Sequence, residues 1–319
     1  MALRVAPDWE AAFVAPLAAR VPPALGGLRL DQALARMFPQ YSRNRLQAWL
    51  RSGHVRVDGG VSRAPADASV RVAGGELIEV LPPPAADVSM PAAQRMPLAI
   101  VYEDSDLIVI DKPAGLVVHP GAGNPDRTLL NALLAHAPAL RQVPRAGIVH
   151  RLDKDTSGLL VVAKNVSAQA RLAEQLASRS VRRSYLALVH GDPPARGAID
   201  APVGRDQRVR TRMAVTRRGK QARTSYRVLE RFGSAALLEC RLETGRTHQI
   251  RVHFQHIRHP LVGDPVYRRG TRHGVAFSRQ ALHAAGLELL HPRNGKRMSW
   301  SAPLPADMAK LLASLRRGG

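Results

Sequence analysis

Asp153 stands between Arg151 and Lys154, with a second carboxylate at Asp155, in a polar stretch bracketed by Ile148-Val149 on one side and Leu159-Leu160-Val161-Val162 on the other. A carboxylate set among buried elements is costly unless it is paired, hydrated or turned into a cleft. The apolar flanks read as buried strands or strand edges, with Thr156-Ser157-Gly158 as the turn between them. A polar loop held by core elements is where catalytic groups concentrate, and a carboxylate there can serve as a nucleophile or as a general base. For an isolated Arg-Leu-Asp tripeptide, an ion pair that only orders a turn is the commoner outcome. The tripeptide alone therefore decides nothing, and the elements around it must be read.

Short apolar runs at 100–102, 107–110, 185–189, 236–240 and 287–290 read as strands, and helical patterns fall at 128–135, 167–176, 247–255 and 306–315. They follow no regular alternation, which favours an α+β fold over a doubly wound parallel sheet. Nearer the start, Leu30, Ala33, Leu34 and Met37 recur at helical spacing and Pro39 closes that helix. Ser42 is a candidate N-cap for a second helix. Its Leu46, Trp49 and Leu50 face inward, its Arg43, Arg45 and Arg51 share an outward face, and Gly53 ends it. Val55 and Val57, an Asp58-Gly59-Gly60 turn, then Val70-Arg71-Val72 and Leu77-Ile78-Glu79-Val80 complete a small module of helices and strands. Pro82-Pro83-Pro84 can continue neither a helix nor a central strand and marks a spacer. The expected organisation is an extension over 1–27, loosely ordered unless Trp9 and Phe13 dock it, a module over 28–81, a proline-rich linker over 82–96, and a larger unit over 97–315.

The chain has 319 residues, 45% of them hydrophobic, enough to bury a full core across two domains. Its formal net charge is +22. An excess of this size attracts polyanions at long range and points to nucleic acid. Basic residues cluster over 205–231, with Arg205, Arg208, Arg210, Arg212, Arg217, Arg218, Lys220, Arg223, Arg227 and Arg231 against only Asp206 and Glu230. Aromatic residues are only 4%, which argues against a stacking platform for single strands and for recognition of shape and phosphate. Cys240, the sole cysteine, excludes an internal disulfide and a cysteine-based zinc site and reads as core filling in a strand. The 12 histidines lack metalloprotease spacing, and His248 and His253 read as core or RNA-facing groups. Gly121, Gly123 and Asn124 match neither dinucleotide nor Walker loops. The N-terminal residues form no long apolar segment, so neither a signal peptide nor a membrane span is expected, and the protein reads as cytoplasmic.

The run His150-Arg151-Leu152-Asp153-Lys154-Asp155-Thr156-Ser157-Gly158 resembles the HRLDxxTSG signature of the RluA-type pseudouridine synthases. The stretch Ile108-Val109-Ile110-Asp111-Lys112-Pro113-Ala114-Gly115 is similar to the opening motif of that family, and Glu243-Thr244-Gly245-Arg246-Thr247-His248-Gln249-Ile250-Arg251 to its third. Arg29-Leu30-Asp31-Gln32-Ala33-Leu34 and Gly53-His54-Val55-Arg56-Val57-Asp58-Gly59 resemble the S4 RNA-binding fold. The resemblance covers about residues 28–310. It implies a central mixed, mainly antiparallel sheet with flanking helices, preceded by a small S4-like module that contacts RNA through Arg43, Arg45 and Arg51.

It also implies the chemistry: the bond from ribose C1′ to uracil N1 breaks, the base rotates, and a bond from C1′ to C5 forms. Asp153 is then the catalytic carboxylate, as nucleophile or as base, and Asp155 is excluded by its register in the motif. Arg151 and the neighbouring His150 fall to base flipping and RNA contact, unless Arg151 pairs with Asp155. Tyr185 stacks on the base and acts as an acid or base, and Arg246 pairs with Asp153 and keeps it ionised. Nothing is oxidised and no phosphoryl group moves, so no cofactor and no metal is implied. The S4 module, His119-Pro120-Gly121 and residues 143–150 are most similar to family members that act on large-subunit ribosomal RNA at a stem-loop of the subunit interface. The implied partner is that RNA or a pre-ribosomal particle, met by a monomer. The basic loop 268–274 departs from those members. A non-catalytic RNA-binding or ribosome-assembly protein, and a nucleoside hydrolase, are the rival classes.

Overall fold

The apolar stripe near the start of the chain folds as its spacing predicts. In the computed structural model, which describes residues 17–39, 41, 43–57, 67–82, 91–121, 123–209, 212–267 and 275–318, β1 (Leu17–Arg20), α1 (Leu30–Met37), α2 (Arg43–Arg51), β2 (Val55–Val57) and β3 (Leu77–Val80) belong to a first unit that divides from the second between Met90 and Pro91. Leu30, Ala33 and Leu34 of α1 pack with Leu46, Trp49 and Leu50 of α2 over Ile78 and Val80. Gly53, at φ +75°, turns the chain out of α2. The sheet order is β1-β3-β2, all antiparallel. Two sequence expectations change here. Leu17–Arg20 form an edge strand on β3, so this end of the extension is ordered. Residues 70–72 contribute one isolated bridge, from Arg71 to Arg29, and no strand. Trp9, Phe13, Ser42, the Asp58-Gly59-Gly60 turn, most of the proline linker and loop 268–274 lie outside the described residues.

The second unit is built on one large sheet. Its strands are β4 (Ile100–Glu103), β5 (Leu107–Lys112), β6 (Ser157–Ala163), β7 (Arg182–His190), β8 (Arg196–Asp200), β9 (Val203–Arg205), β10 (Met213–Val215), β11 (Arg223–Arg231), β12 (Ala235–Leu242), β13 (Leu282–Leu290) and β14 (Arg297–Ser301). Its helices are α3 (Leu129–His136), α4 (Val166–Ala177), α5 (Gln249–His256) and α6 (Ala306–Arg317). The main sheet runs β4-β5-β6-β13-β7-β12-β11-β8, with β14 on β13, while β9 and β10 form a separate two-stranded hairpin. Among the described residues only the β6–β13 pairing is parallel. The sheet is mixed and mainly antiparallel and the class is α+β.

Side chains alternate across this sheet. Ala236, Leu238 and Cys240 of β12 join Tyr185 and Ala187 of β7 beneath α3 and α5, whereas Leu237 and Leu188 face α6, and Leu107 and Val109 of β5 face α4. Every residue of β6 is buried, the mark of a central strand covered on both faces. Helix starts are secured locally: Thr128 and Asn131 form a capping box for α3, and the Asn165 side chain accepts the Ala168 N–H of α4 at 2.8 Å. The polar loop of the sequence signature is thereby fixed at the start of β6, in the middle of the sheet.

Gly158 sits where β6 meets β13, at φ +110°, and a Cβ there would lie 2.3 Å from the Ala284 carbonyl oxygen. Both the backbone conformation and the contact exclude a side chain. Gly158→Ala is expected to lower unfolding stability by more than about 1 kcal/mol, measured as a fall in the urea midpoint at unchanged m-value; an unchanged midpoint would contradict the close approach.

Candidate functional site

The loop carrying Asp153 is held through its backbone, residue by residue. The Thr156 N–H closes a turn on the Asp153 carbonyl at 3.1 Å. The Lys154 carbonyl accepts from Gly115 N–H at 2.9 Å and from Lys112 Nζ at 3.0 Å. Arg279 Nη1 donates to the Asp155 carbonyl at 3.0 Å while its Nε and Nη2 grip Asp307 at 2.6 and 2.9 Å. Ser157 Oγ pairs with His283 Nδ1 at 3.0 Å. Lys112 is fully buried, and Pro113 and Leu116 carbonyls at 2.8 and 2.9 Å complete a set of three acceptors for its three ammonium hydrogens. Burial pulls its pKa down to about 7, against the favourable charges of Asp155 and Asp153.

The Asp153 side chain emerges from this frame beside the first turn of α5. Its Oδ2 accepts from Arg251 Nη1 at 3.0 Å, and no described residue donates to Oδ1. Arg251 is itself gripped in two places by fully buried Asp264, Nε to Oδ2 at 2.7 Å and Nη2 to Oδ1 at 3.0 Å. Burial disfavours its charge, but the Asp264 bonds and the two carboxylate charges outweigh burial and hold its pKa above the ordinary value. Asp264 also caps its own turn, accepting Val266 and Tyr267 N–H groups at 2.9 and 3.0 Å. Tyr267 places its ring 5.0 Å from the Arg251 guanidinium carbon. His248, the residue before α5, lies in the left-handed region at φ +56° with Nε2 3.8 Å from Asp153 Oδ1. A non-glycine residue held in that region is a local strain that clusters at functional sites.

The arginine that meets Asp153 is thus Arg251 and not Arg246. Arg246 belongs to the loop before α5, where its Nε donates to the Gln221 carbonyl at 3.1 Å and its N–H to Gln249 Oε1 at 3.0 Å. In the helix, Ile250 and Phe254 are one turn apart and enter the core, while Arg251 projects from a different side. The helical period over 247–255 sets Arg251 apart from the Ile250–Phe254 row, and its buried acceptors Asp153 and Asp264 are what distinguish it.

Tyr185 is buried, and burial raises its phenol pKa, opposed by Arg183 and reinforced by Asp153, so the phenol is a proton donor at neutral pH. Arg151 is exposed, and no described carboxylate pairs with it, so the alternative pairing with Asp155 is not formed. His150 accepts the Val161 N–H on Nε2 at 3.1 Å and has a buried, unpartnered Nδ1. Burial and the Arg183 charge lower its pKa to about 3. A neutral ring tied to β6 positions the loop and carries no charge to RNA.

In the first unit, Arg43, Arg45 and Arg51 do not share one face. Arg43 reaches back to fully buried Asp31 at 2.7 Å, together with Arg29 at 3.2 Å and Gln47, whereas Arg45 lies over Trp49, 5.6 Å from the ring centroid. Residues two apart on a helix point in opposed directions, which separates Arg43 from Arg45. Arg51 is exposed. The basic run 205–231 is also partly neutralised, since Arg223 pairs with Glu243 at 3.1 Å, Arg227 with Glu239 at 2.5 Å and Arg231 with Asp192. Arg210 lies outside the described residues. Asp104, Asp106 and His291 gather their polar atoms within 4.8 Å. Those atoms are committed to the Asp106 and Leu107 N–H groups, Asn165 and Arg293, an ion-pair network closed by a cation of the chain's own.

Comparison with known proteins bears on this geometry. The family model described as RNA pseudouridylate synthase matches residues 106–256, and that of the S4 domain matches 28–76. A Nitrosomonas europaea protein named ribosomal large subunit pseudouridine synthase D is 57% identical over 302 residues, covering 93% of this chain and 87% of that protein. A Pseudomonas aeruginosa protein of the same name is 52% identical over 313 residues, covering 94% and 96%. Among solved structures, human RNA pseudouridylate synthase domain containing 4 superposes with a TM-score of 0.55 at 27% identity, covering 68% of this chain and 93% of that one.

The depressed pKa of Lys112 gives a pH signature. Below pH 7 both folded and unfolded chains hold the proton, and the fold bears the full cost of burying the charge. Between about 7 and the ordinary lysine value of 10.5 the unfolded chain binds more protons, so stability rises with pH. Across that window the stability of wild type relative to Lys112→Met should climb by a few kcal/mol at most, roughly 1.4 kcal/mol for each pH unit. Urea titrations of both proteins at pH 7 and pH 9.5 check this; a constant difference would show that Lys112 titrates normally.

Proposed function

Because this chain belongs to the family of RNA pseudouridylate synthases, we propose that it isomerises specific uridines of large-subunit ribosomal RNA, with Asp153 as the catalytic carboxylate. The carrying observation is the asymmetry of that carboxylate: one oxygen is bound by Arg251, and the other receives no hydrogen bond from the described residues. Attack on ribose C1′ and removal of a ribose proton both need an oxygen free to react and a carboxylate held in register. Arg251 supplies the register and the opposing charge. The base keeps its atoms throughout: C1′–N1 breaks, C1′–C5 forms, the proton leaves C5 and N1 gains one.

Tyr185 provides a buried ring and a protonated hydroxyl beside Asp153, suited to stacking on uracil and to donating toward it. A uridine in a stem-loop has to leave its stack to reach these groups. Arg151, exposed and without a carboxylate partner, is the planar cation placed to occupy the gap. The S4 module and the basic surface bind phosphate and RNA shape. The large-subunit substrate rests on the names of the relatives, as does the interface stem-loop on the resemblance of the sequence. No described helix is long and apolar enough to cross a membrane, and a monomer acting in the cytoplasm on RNA or a pre-ribosomal particle accords with this reading.

The test incubates the protein with unmodified large-subunit RNA and maps pseudouridine by carbodiimide-dependent reverse-transcription stops. Wild type should create new stops and Asp153→Ala none. Arg251→Ala should lower the rate by about a hundredfold or more, the scale for a misplaced reacting group, and by more than Arg246→Ala does. Stops that persist in Asp153→Ala would sink the assignment; released uracil would indicate a hydrolase, and binding without stops an RNA-binding protein.

A further inference from the structure

Tyr267 is completely buried, and its hydroxyl sits between two nitrogen groups. It accepts the backbone N–H of Met213 at 3.0 Å and lies 2.8 Å from Nδ1 of His248. A backbone amide only donates, so the single hydroxyl hydrogen must find another acceptor, and Nδ1 of His248 is the one in reach among the described residues. Leaving that hydrogen unpaired in a dry site would cost about 1–3 kcal/mol. With Nδ1 accepting, the hydrogen of a neutral imidazole resides on Nε2. That nitrogen faces Oδ1 of Asp153 at 3.8 Å, the oxygen left open by Arg251.

The surroundings keep the ring in this state. His248 is held by its left-handed backbone and by edge-on packing against the Tyr267 ring, with centroids 5.7 Å apart. The charged groups that face it are Asp153, Arg251, Asp264 and Arg151, and burial leads their combined effect toward a lowered pKa and a neutral ring. Met213 begins β10, one strand of the hairpin that carries Arg205 and Arg212, and the Arg212 guanidinium carbon lies 5.3 Å from the Tyr267 ring on its own account.

We propose that His248 is a positioning residue for the reaction, its Nε2–H aimed at Oδ1 of Asp153 across the 3.8 Å gap by a one-way chain that runs from the Met213 N–H through the Tyr267 hydroxyl, which links the reacting oxygen to the basic β9–β10 hairpin. The proposal rests on the reading of Asp153 as the catalytic carboxylate. As Oδ1 approaches the substrate, the closing of the 3.8 Å gap fixes the direction of its free lone pairs. RNA seated on the hairpin acts on the same chain from its other end.

The test uses the full-length protein labelled with 15N. Long-range proton–nitrogen spectra report the ring tautomer, with His248 signals identified by their loss in His248→Gln. The expected wild-type signature is Nε2–H, and Tyr267→Phe, which removes the hydroxyl and keeps the ring, should shift His248 toward Nδ1–H or a mixture. In single-turnover assays with unmodified large-subunit RNA, both variants should lose about tenfold to a hundredfold in the rate of isomerisation, with RNA Kd unchanged within about threefold. An Nδ1–H wild type, an unshifted tautomer with an unchanged rate in Tyr267→Phe, or a loss confined to Kd would overturn the proposal. An active Asp153→Ala would remove the catalytic role on which it depends, and would be seen independently of the tautomer.

Discussion

The guanidinium of Arg251 is the point on which the site turns. Two of its nitrogens are spent on Asp264 and one on Asp153, so a single buried cation serves two carboxylates that differ in purpose. Removing water from three charges is expensive, and the arrangement holds because each donor meets an acceptor at hydrogen-bond distance. Asp264 is fully enclosed and committed, which leaves the guanidinium no other orientation. Asp153 inherits that orientation. A planar fork can transmit direction in a way that a lysine ammonium cannot.

The same economy governs the loop around it. Lys112 and Arg279 bind backbone carbonyls of Lys154 and Asp155, so the loop is fixed by cations acting on the main chain and its side chains stay available. The large positive charge of the chain divides accordingly. Some of it is internal and structural, as at Lys112, Arg251 and Arg279, and some is cancelled on the sheet surface by Glu239 and Glu243. The remainder generates the field that draws RNA toward the protein.

Much of this was legible in the sequence, and the parts that were not share a cause. The α1 stripe, the buried β6 run and the cysteine in β12 were readable because burial of apolar groups leaves a periodic trace. Strands β8, β9, β10 and β14 left little trace, being short or half exposed with mixed polarity. Arg223–Arg231 looked like a phosphate-binding stretch because the acids that meet it, Glu239 on β12, Glu243 just after it and Asp192 before β8, are brought alongside only by the folded sheet. Asp153 was identified by its motif. Its partner was expected at Arg246 because the family resemblance implied it, while Arg251 is selected by the turn of a helix and by Asp264, thirteen residues on. Lys112, at the end of an apolar strand, offered a signal that a charge was being buried, but its three carbonyl acceptors are a property of the folded chain alone.

The return of β13 to the middle of the sheet has a consequence for how the protein comes into being. Strands β6 and β7 are separated in the sheet by a strand made some hundred residues later, and Ser157 meets His283 across 126 positions of sequence. While the chain emerges from the ribosome, the loop of Asp153 is exposed long before Arg279, His283 and Asp307 exist to secure it. Pairing across such a span is slow, since a long loop must close before any contact rewards it. The nascent chain therefore carries its signature loop without these braces until β13 and α6 have been made.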